Sequence, residues 1–156
     1  MLTAIADCSD AAEGIGDLND INYQIIVAKR EAAEKLCVLS ELLYARYLND
    51  SAIEDIRAAL ECDKKALDLT PADEPLLAAQ RHNSIGVELL AIYRFEGGLE
   101  LLNQSVIHSL QAIKGTPYTD ATRQEWREHR YNLAISLHDQ YHGTKNEEDL
   151  MGSLLG

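Results

Sequence analysis

His138 and His142 are the first residues of this chain whose types and spacing suggest chemistry. Four apart on a helix they share one face, and such a histidine pair can hold zinc. The metalloprotease form of that motif sets a glutamate beside the first histidine as general base. Here Asp139, Gln140 and Tyr141 intervene, and no third ligand is fixed by spacing, although His129 lies nine residues upstream of His138. Two exposed histidines near a helix C-terminus, where positive charge is favoured, is the preferred account, with His138 and His142 kept as the metal candidates. Cys37 and Cys62 come next. A nucleophilic cysteine needs a cation or a helix N-terminus to lower its pKa. Cys37 lies among Leu36, Val38 and Leu39, and Cys62 between Glu61 and Asp63, so both read as small buried or half-buried thiols. Gly14-Ile15-Gly16 begins like a dinucleotide fingerprint but lacks the third glycine and a preceding strand, and is rejected. Glu147, Glu148 and Asp149 read as the acidic first turn of a last helix starting near Asn146, which the helix dipole favours. Trp126 and the seven tyrosines read as packing residues. The expectation is a non-enzymatic chain with no catalytic residues and no cofactor.

Composition bounds the elements that position these residues. A length of 156 residues suits one domain, and 46% hydrophobic with 26% charged residues allows a core to form. A net charge of −12 argues against nucleic acid or an anionic membrane as partner, because such binders use excess basic charge to release counterions. A field of this sign favours basic partners or plain solubility. Cys8, Cys37 and Cys62 are too few and too far apart for a disulfide framework, which fits a reducing compartment. The opening MLTAIADCSD has no basic segment and reaches Asp7 before any long apolar run, so no secretory signal is read. With no apolar stretch long enough to cross a bilayer, a cytoplasmic protein is expected.

The strongest signal is self-similarity. Tyr47, Tyr93 and Tyr141 are each followed nine residues later by an aliphatic (Ile56, Leu102, Leu150) and thirteen later by another (Leu60, Val106, Leu154). The spacing is 46 residues, then 48. A second landmark agrees: Ala66-Leu-Asp-Leu-Thr-Pro71 returns as Ala112-Ile-Lys-Gly-Thr-Pro117, again 46 apart. Each unit reads as two helices. Ile53, Ile56, Ala59, Leu60, Ala66 and Leu67 follow helical three-and-four spacing, with Asp50 or Ser51 as N-cap. Thr70-Pro71 stops that helix, and Pro75 starts another that carries Ile85, Leu89 and Tyr93 on one stripe. Gly86 beside them is expected where a neighbouring helix comes close, since a mid-helix glycine costs up to about 1 kcal/mol. Gly97-Gly98 turns the chain into a helix over 99–113, closed by Gly115-Thr116-Pro117. Thr119 or Asp120 then caps a helix reaching Tyr141, with Leu133, Ala134, Leu137 and Tyr141 on its stripe. Between Asp20 and Leu48 there is no Gly or Pro, which predicts one long helix or two meeting at a tight turn.

With these residues in view the chain resembles tetratricopeptide-like (TPR-like) repeats of large fungal proteins, arrays that often precede a caspase-like CHAT peptidase domain. The matching text is Ile53-Glu-Asp-Ile-Arg-Ala-Ala-Leu60, Ala66-Leu-Asp-Leu-Thr-Pro-Ala-Asp-Glu-Pro75 and Ser84-Ile-Gly-Val-Glu-Leu89 with Tyr93, and Gly16-Asp-Leu-Asn-Asp-Ile21 looks like the lead into a second helix. His82 and Arg130 depart from it, standing where that family has Leu, and one Thr-Pro loop is absent. The resemblance implies an all-α fold, a short α-solenoid of stacked antiparallel helix pairs with about six helices plus a truncated C-terminal one. Its expected divisions are a partly disordered lead over 1–15, an N-terminal helical segment over 16–48, repeat units over 49–94 and 95–141, and an incomplete repeat over 142–156.

In such arrays the first helices of the pairs form an inner groove. In some tetratricopeptide proteins an Asn before a Leu-Gly pair binds a peptide backbone or terminal carboxylate there. Asn132, before Leu133-Ala134, matches that place, while Ser84 and Val38 hold it in the other units. His82, Asn83, Arg127 and Arg130 are expected to supplement it, since burying His or Arg in a seam costs several kcal/mol unless paired. The expected function is non-catalytic binding of a protein or peptide, with a slight preference for basic ligands and no nucleic-acid or membrane partner. A fragment of a larger CHAT-type signalling or peptidase protein is the second reading, and a small protein binding metal through His138 and His142 the third. A bare terminal face would forfeit several kcal/mol of apolar burial, so the terminal helix over 146–156 is expected either to fray or to dock onto another chain, self-association being one such outcome.

Overall fold

Local capping chemistry divides the chain where its punctuation falls. The computed structural model describes residues 17–155, which form five helices with no strand among them: α1 (Leu18–Asp50), α2 (Ile53–Leu69), α3 (Pro75–Glu96), α4 (Leu99–Lys114) and α5 (Arg123–Leu155). Asp17 caps α1, its carboxylate accepting from the Asp20 N–H at 2.9 Å and so satisfying a first-turn donor. With no Gly or Pro to interrupt it, α1 then runs unbroken to Asp50. Ser51, expected as the N-cap of the following helix, instead ends α1: it sits at φ 56°, and its N–H bonds the Tyr47 carbonyl at 2.7 Å. The N-cap of α2 is Ala52, whose methyl can accept no hydrogen bond.

Both landmarks of the sequence repeat recur in three dimensions. Gly97, at φ 79°, donates its N–H to the Tyr93 carbonyl at 2.7 Å, as Ser51 does to Tyr47. Gly98, at φ 97°, completes that turn. At the other landmark the Thr70 hydroxyl donates to the Ala66 carbonyl at 2.7 Å and the Thr116 hydroxyl to the Ala112 carbonyl at 2.8 Å. Each threonine hydroxyl thereby satisfies the carbonyl four residues back, which the threonine's own N–H leaves by bonding Leu67 or Ile113 instead.

The third copy of the tyrosine landmark does not break the chain. Glycine there is single, a lone glycine costs a helix only about 1 kcal/mol, and α5 continues through Gly143 as one helix of 33 residues. The separate terminal helix expected from Asn146 is therefore absent, and the described helices number five instead of six plus a stub. Glu147, Glu148 and Asp149 lie in the later part of α5, not in a first turn. Tyr141 is 63% exposed, whereas Tyr47 packs on the main core. Ala134 and Leu137 are likewise exposed, because none of the described residues packs on that side of α5. The expected lead over 1–15, Cys8 and Gly14-Ile15-Gly16 lie outside the described residues.

Apolar faces then set the packing. Ile53, Ile56 and Leu60 of α2 meet Ile85, Leu89 and Ile92 of α3, with Tyr44 and Tyr47 of α1 laid over them. Full burial of each such aliphatic contributes roughly 1.5–3 kcal/mol. Ala33 and Cys37 of α1 close on Ala66 of α2. Between α3 and α4 the helices approach at Gly86, where an added Cβ would stand 2.9 Å from Ser109 Oγ and 3.3 Å from the Ser105 carbonyl. The expected close neighbour of Gly86 is thus α4.

Contacts along each pair give direction. Residue numbers fall on one helix as they rise on the next: Ser40 meets Asp63 and Arg46 meets Asp55, His82 meets His108 and Gly86 meets Ser105, and Ser105 meets Ser136 while Asn103 meets Gln140, so α1–α2, α3–α4 and α4–α5 are antiparallel. Alternate helices run parallel. α1 and its neighbour touch through Arg30–Glu74, Glu34–Arg81 and Ser40–Glu88, at separations of 44, 47 and 48 residues. α3 meets α5 through Gln80–Glu125, Asn83–Asn132 and Arg94–Asp139, at 45, 49 and 45. The period read from the sequence is thus the register in which every second helix lies beside the last.

Candidate functional site

A groove of about 640 Å³ opens between the three parallel helices. Helical spacing builds its walls: Cys37, Ser40, Glu41, Tyr44 and Leu48 from α1, Gln80, Arg81, Ser84, Val87 and Glu88 from α3, and Glu125, Glu128, His129 and Asn132 from α5. Asp63 of α2 enters its floor from behind. The lining holds five carboxyl groups (Glu41, Asp63, Glu88, Glu125 and Glu128) against one arginine, Arg81.

The floor is a buried polar network. Ser40 Oγ lies 2.5 Å from Asp63 Oδ2 and 3.0 Å from Glu88 Oε1, and the Cys37 thiol donates to Asp63 Oδ1 at 3.7 Å. One hydroxyl hydrogen cannot serve both carboxyl groups. Burial first, and then the facing Asp63 carboxylate, push the Glu88 carboxyl up to about 10, against an opposing hydrogen bond from Ser40. Glu88 is therefore the protonated partner: its Oε1–H donates to Ser40, and Ser40 donates to Asp63. Among the described residues Oε2 of Glu88 has no hydrogen-bond partner, although the residue is only 2% exposed. Arg81, 7% exposed, spends Nη2 on Glu34 at 2.9 Å and leaves Nε without an acceptor. An unpaired buried polar atom costs about 1–3 kcal/mol, and the groove floor carries two.

The residues singled out from sequence divide sharply. Asn132 and Asn83 both line the groove, and the Asn132 amide donates to Asn83 Oδ1 at 3.0 Å. His82 instead turns to the α3–α4 seam, where its Nδ1 lies 2.9 Å from Nδ1 of His108. The seam that excludes an unpaired histidine accepts this one because a second histidine partners it, and burial pushes both below their usual pKa. Arg127 is exposed outside the lining, and Arg130 lies over the Trp126 ring, 4.8 Å from its centroid. His138 and His142 bring their Nε2 atoms to 3.1 Å on the exposed side of α5, with Asp139 Oδ1 3.4 Å from His138 Nδ1. Among the described residues no three His, Cys, Asp or Glu side chains gather as a metal site, and no helix is long and apolar enough to cross a membrane.

Burial pushes the Cys37 thiol up to about 12 and raises Cys62 as well, which leaves both as poor nucleophiles at neutral pH. His129 is buried and donates from Nδ1 to Thr116 Oγ1 at 3.1 Å, its pKa lowered by burial. Sequence reasoning missed Ser40, Asp63, Arg81 and Glu88. Their signal was positional: Asp63 continues the Ile56, Leu60 stripe, and Glu88 falls between Ile85 and Ile92, so each puts a carboxyl on an apolar face. Searches against protein-family models, curated proteins and solved structures returned no match for the chain.

Proposed function

We propose that this chain is a non-catalytic, TPR-like helical-repeat module that holds a basic peptide segment in the groove between α1, α3 and α5. The observation that supports this reading is the charge of the lining, four carboxylates and the neutral Glu88 carboxyl against one arginine in a cavity of about 640 Å³. A groove lined by one sign of charge attracts a segment of the other sign, and its low-dielectric walls strengthen the attraction. Asn83 and Asn132, half-buried on facing helices, supply amide groups suited to a peptide backbone. Among the described residues no nucleophile, base and orienting group come together in the groove, so binding accounts for its residues better than turnover.

The test is fluorescence anisotropy with short capped peptides, one alternating lysine with glycine and one alternating glutamate with glycine. The lysine peptide is expected to bind, more weakly as salt rises, and a Glu41→Lys, Glu128→Lys chain to bind it at least about tenfold more weakly. Equal binding of the two peptides, no binding of the lysine peptide, or indifference to the double substitution would each defeat the proposal.

A further inference from the structure

The floor of the groove is more selective than its charge alone. We infer that it seats one lysine ammonium of the bound segment against Glu88 Oε2, and that this ammonium takes the place of the proton Glu88 carries in the empty groove. The inference rests on the basic-peptide reading above and specifies its central contact. Glu88 presents one free oxygen, since Oε1 is engaged with Ser40, and both Asp63 oxygens are taken by Ser40 and Cys37. A guanidinium needs two oxygens side by side to use its planar fork, whereas an ammonium is a point charge that one oxygen can anchor. The unpartnered oxygen therefore selects lysine over arginine.

The proton follows from charge balance. In the empty groove Glu88 is neutral, its hydrogen on Oε1 facing Ser40. When a cation docks at Oε2, the Oε1–H bond breaks and the proton leaves to solvent; Ser40 keeps its hydrogen on Asp63, and the ammonium replaces the lost proton as the charge that neutralises Glu88, so the local sum of charge is unchanged. Nothing else facing Glu88 replaces that proton near neutrality. Cys37 and Tyr44 from α1 and Cys62 from α2 all have pKa values raised by burial and stay neutral. His129 from α5 has its pKa lowered and is likewise neutral. Glu41 of α1, Asp63 of α2 and Glu125 and Glu128 of α5 contribute negative charge, which favours the incoming cation. Arg81, on the same helix, opposes it, and its Nη2 is already committed to Glu34.

Isothermal titration calorimetry with a capped peptide carrying a single central lysine tests this, run in phosphate and in Tris between about pH 6 and about pH 8. Capping removes the peptide's other titratable groups. The expected result is release of about one proton per peptide bound, read from the difference between buffers, with affinity rising about tenfold per pH unit. The arginine counterpart should bind about tenfold more weakly, and the acetyl-lysine counterpart should release no proton. Glu88→Gln, which keeps the carbonyl oxygen and cannot ionise, should bind the lysine peptide without proton release and independently of pH. Lysine binding by the native chain without proton release, release undiminished in Glu88→Gln, or equal affinity for lysine and arginine would overturn the Glu88 seat while leaving the groove reading intact. Failure of the lysine and arginine peptides alike would overturn the groove reading itself. The pH slope of the native chain stands whether or not the variant folds.

Discussion

The two seams of α3 are closed by opposite means. Towards α2 the seam is aliphatic: Ile85, Leu89 and Ile92 interleave with Ile53, Ile56 and Leu60. Towards α4 it is made of small and polar residues, with Gly86 against Ser105 and Ser109 and the Ser105 hydroxyl donating to the Gly86 carbonyl at 2.7 Å. Ser105 also meets Ser136 of α5 at 2.9 Å, so this second seam continues into the next helix. The difference teaches that one repeat can be sealed either by volume or by closeness. The first seam gains from apolar area removed from water, while the second gains from dispersion at short range and from satisfied hydroxyls, and it tolerates no added atoms.

The largest separation of the two seams should come from Leu89→Ala. Leu89 is 1% exposed, and truncation there should cost about 2–5 kcal/mol in urea unfolding, through lost transfer energy and the cavity left behind. Glu88→Gln, beside it on α3, should act in the opposite direction and with pH. A carboxyl whose folded pKa is raised contributes stability fully present below its unfolded value, and loses it as pH rises towards the folded one. The glutamine chain should therefore gain on the native chain by up to about 1.4 kcal/mol per pH unit between about pH 5 and about pH 9, and denaturant midpoints across that range check it. A difference that does not grow with pH would remove the buried neutral carboxyl.

Gly86→Ala probes the close seam. Helix propensity favours alanine by up to about 1 kcal/mol, but the new methyl meets a fully buried serine at 2.9 Å and a backbone carbonyl at 3.3 Å. Overpacking costs about 1–3 kcal/mol, so a net loss of about 1 kcal/mol is expected on thermal unfolding. Gly152→Ala, whose methyl would meet nothing within 4 Å, should cost nothing. The smallest effect belongs to the rim. Arg94, half exposed, holds Asp139 below the usual carboxylate range chiefly through its hydrogen bond, and Asp139→Asn should cost less than about 1 kcal/mol. That difference should be present above about pH 4 and vanish as pH falls through the lowered Asp139 pKa.

How far these features were legible differs between the seams. Ile56, Leu60, Ile85 and Leu89 announced the aliphatic seam by their periodicity, and Gly86 announced a close approach by surviving inside a helix. Ser105, Ser109 and Ser136 gave no such signal, because a serine on a stripe reads the same whether buried or wet. The groove was legible in outline through Asn83 and Asn132. Its floor was not: Ser40, Asp63 and Glu88 come from three different helices and are 23 to 48 residues apart. The partners that face His82 and Arg130, His108 and Trp126, were illegible for a related reason, since they could not be assigned before the helices were packed.

Local chemistry written along the chain was enough to determine that it is helical, where most helices stop, and at what interval the pattern returns. Those properties depend on residues within a turn or two of each other, on proline, glycine and capping hydroxyls. Which polar side chains face one another was decided by packing, as was the continuation of α5 through Gly143. A helical period fixes the face a residue occupies and says nothing of what stands opposite. The proton on Glu88, and the single oxygen it leaves free, exist only because three helices meet there.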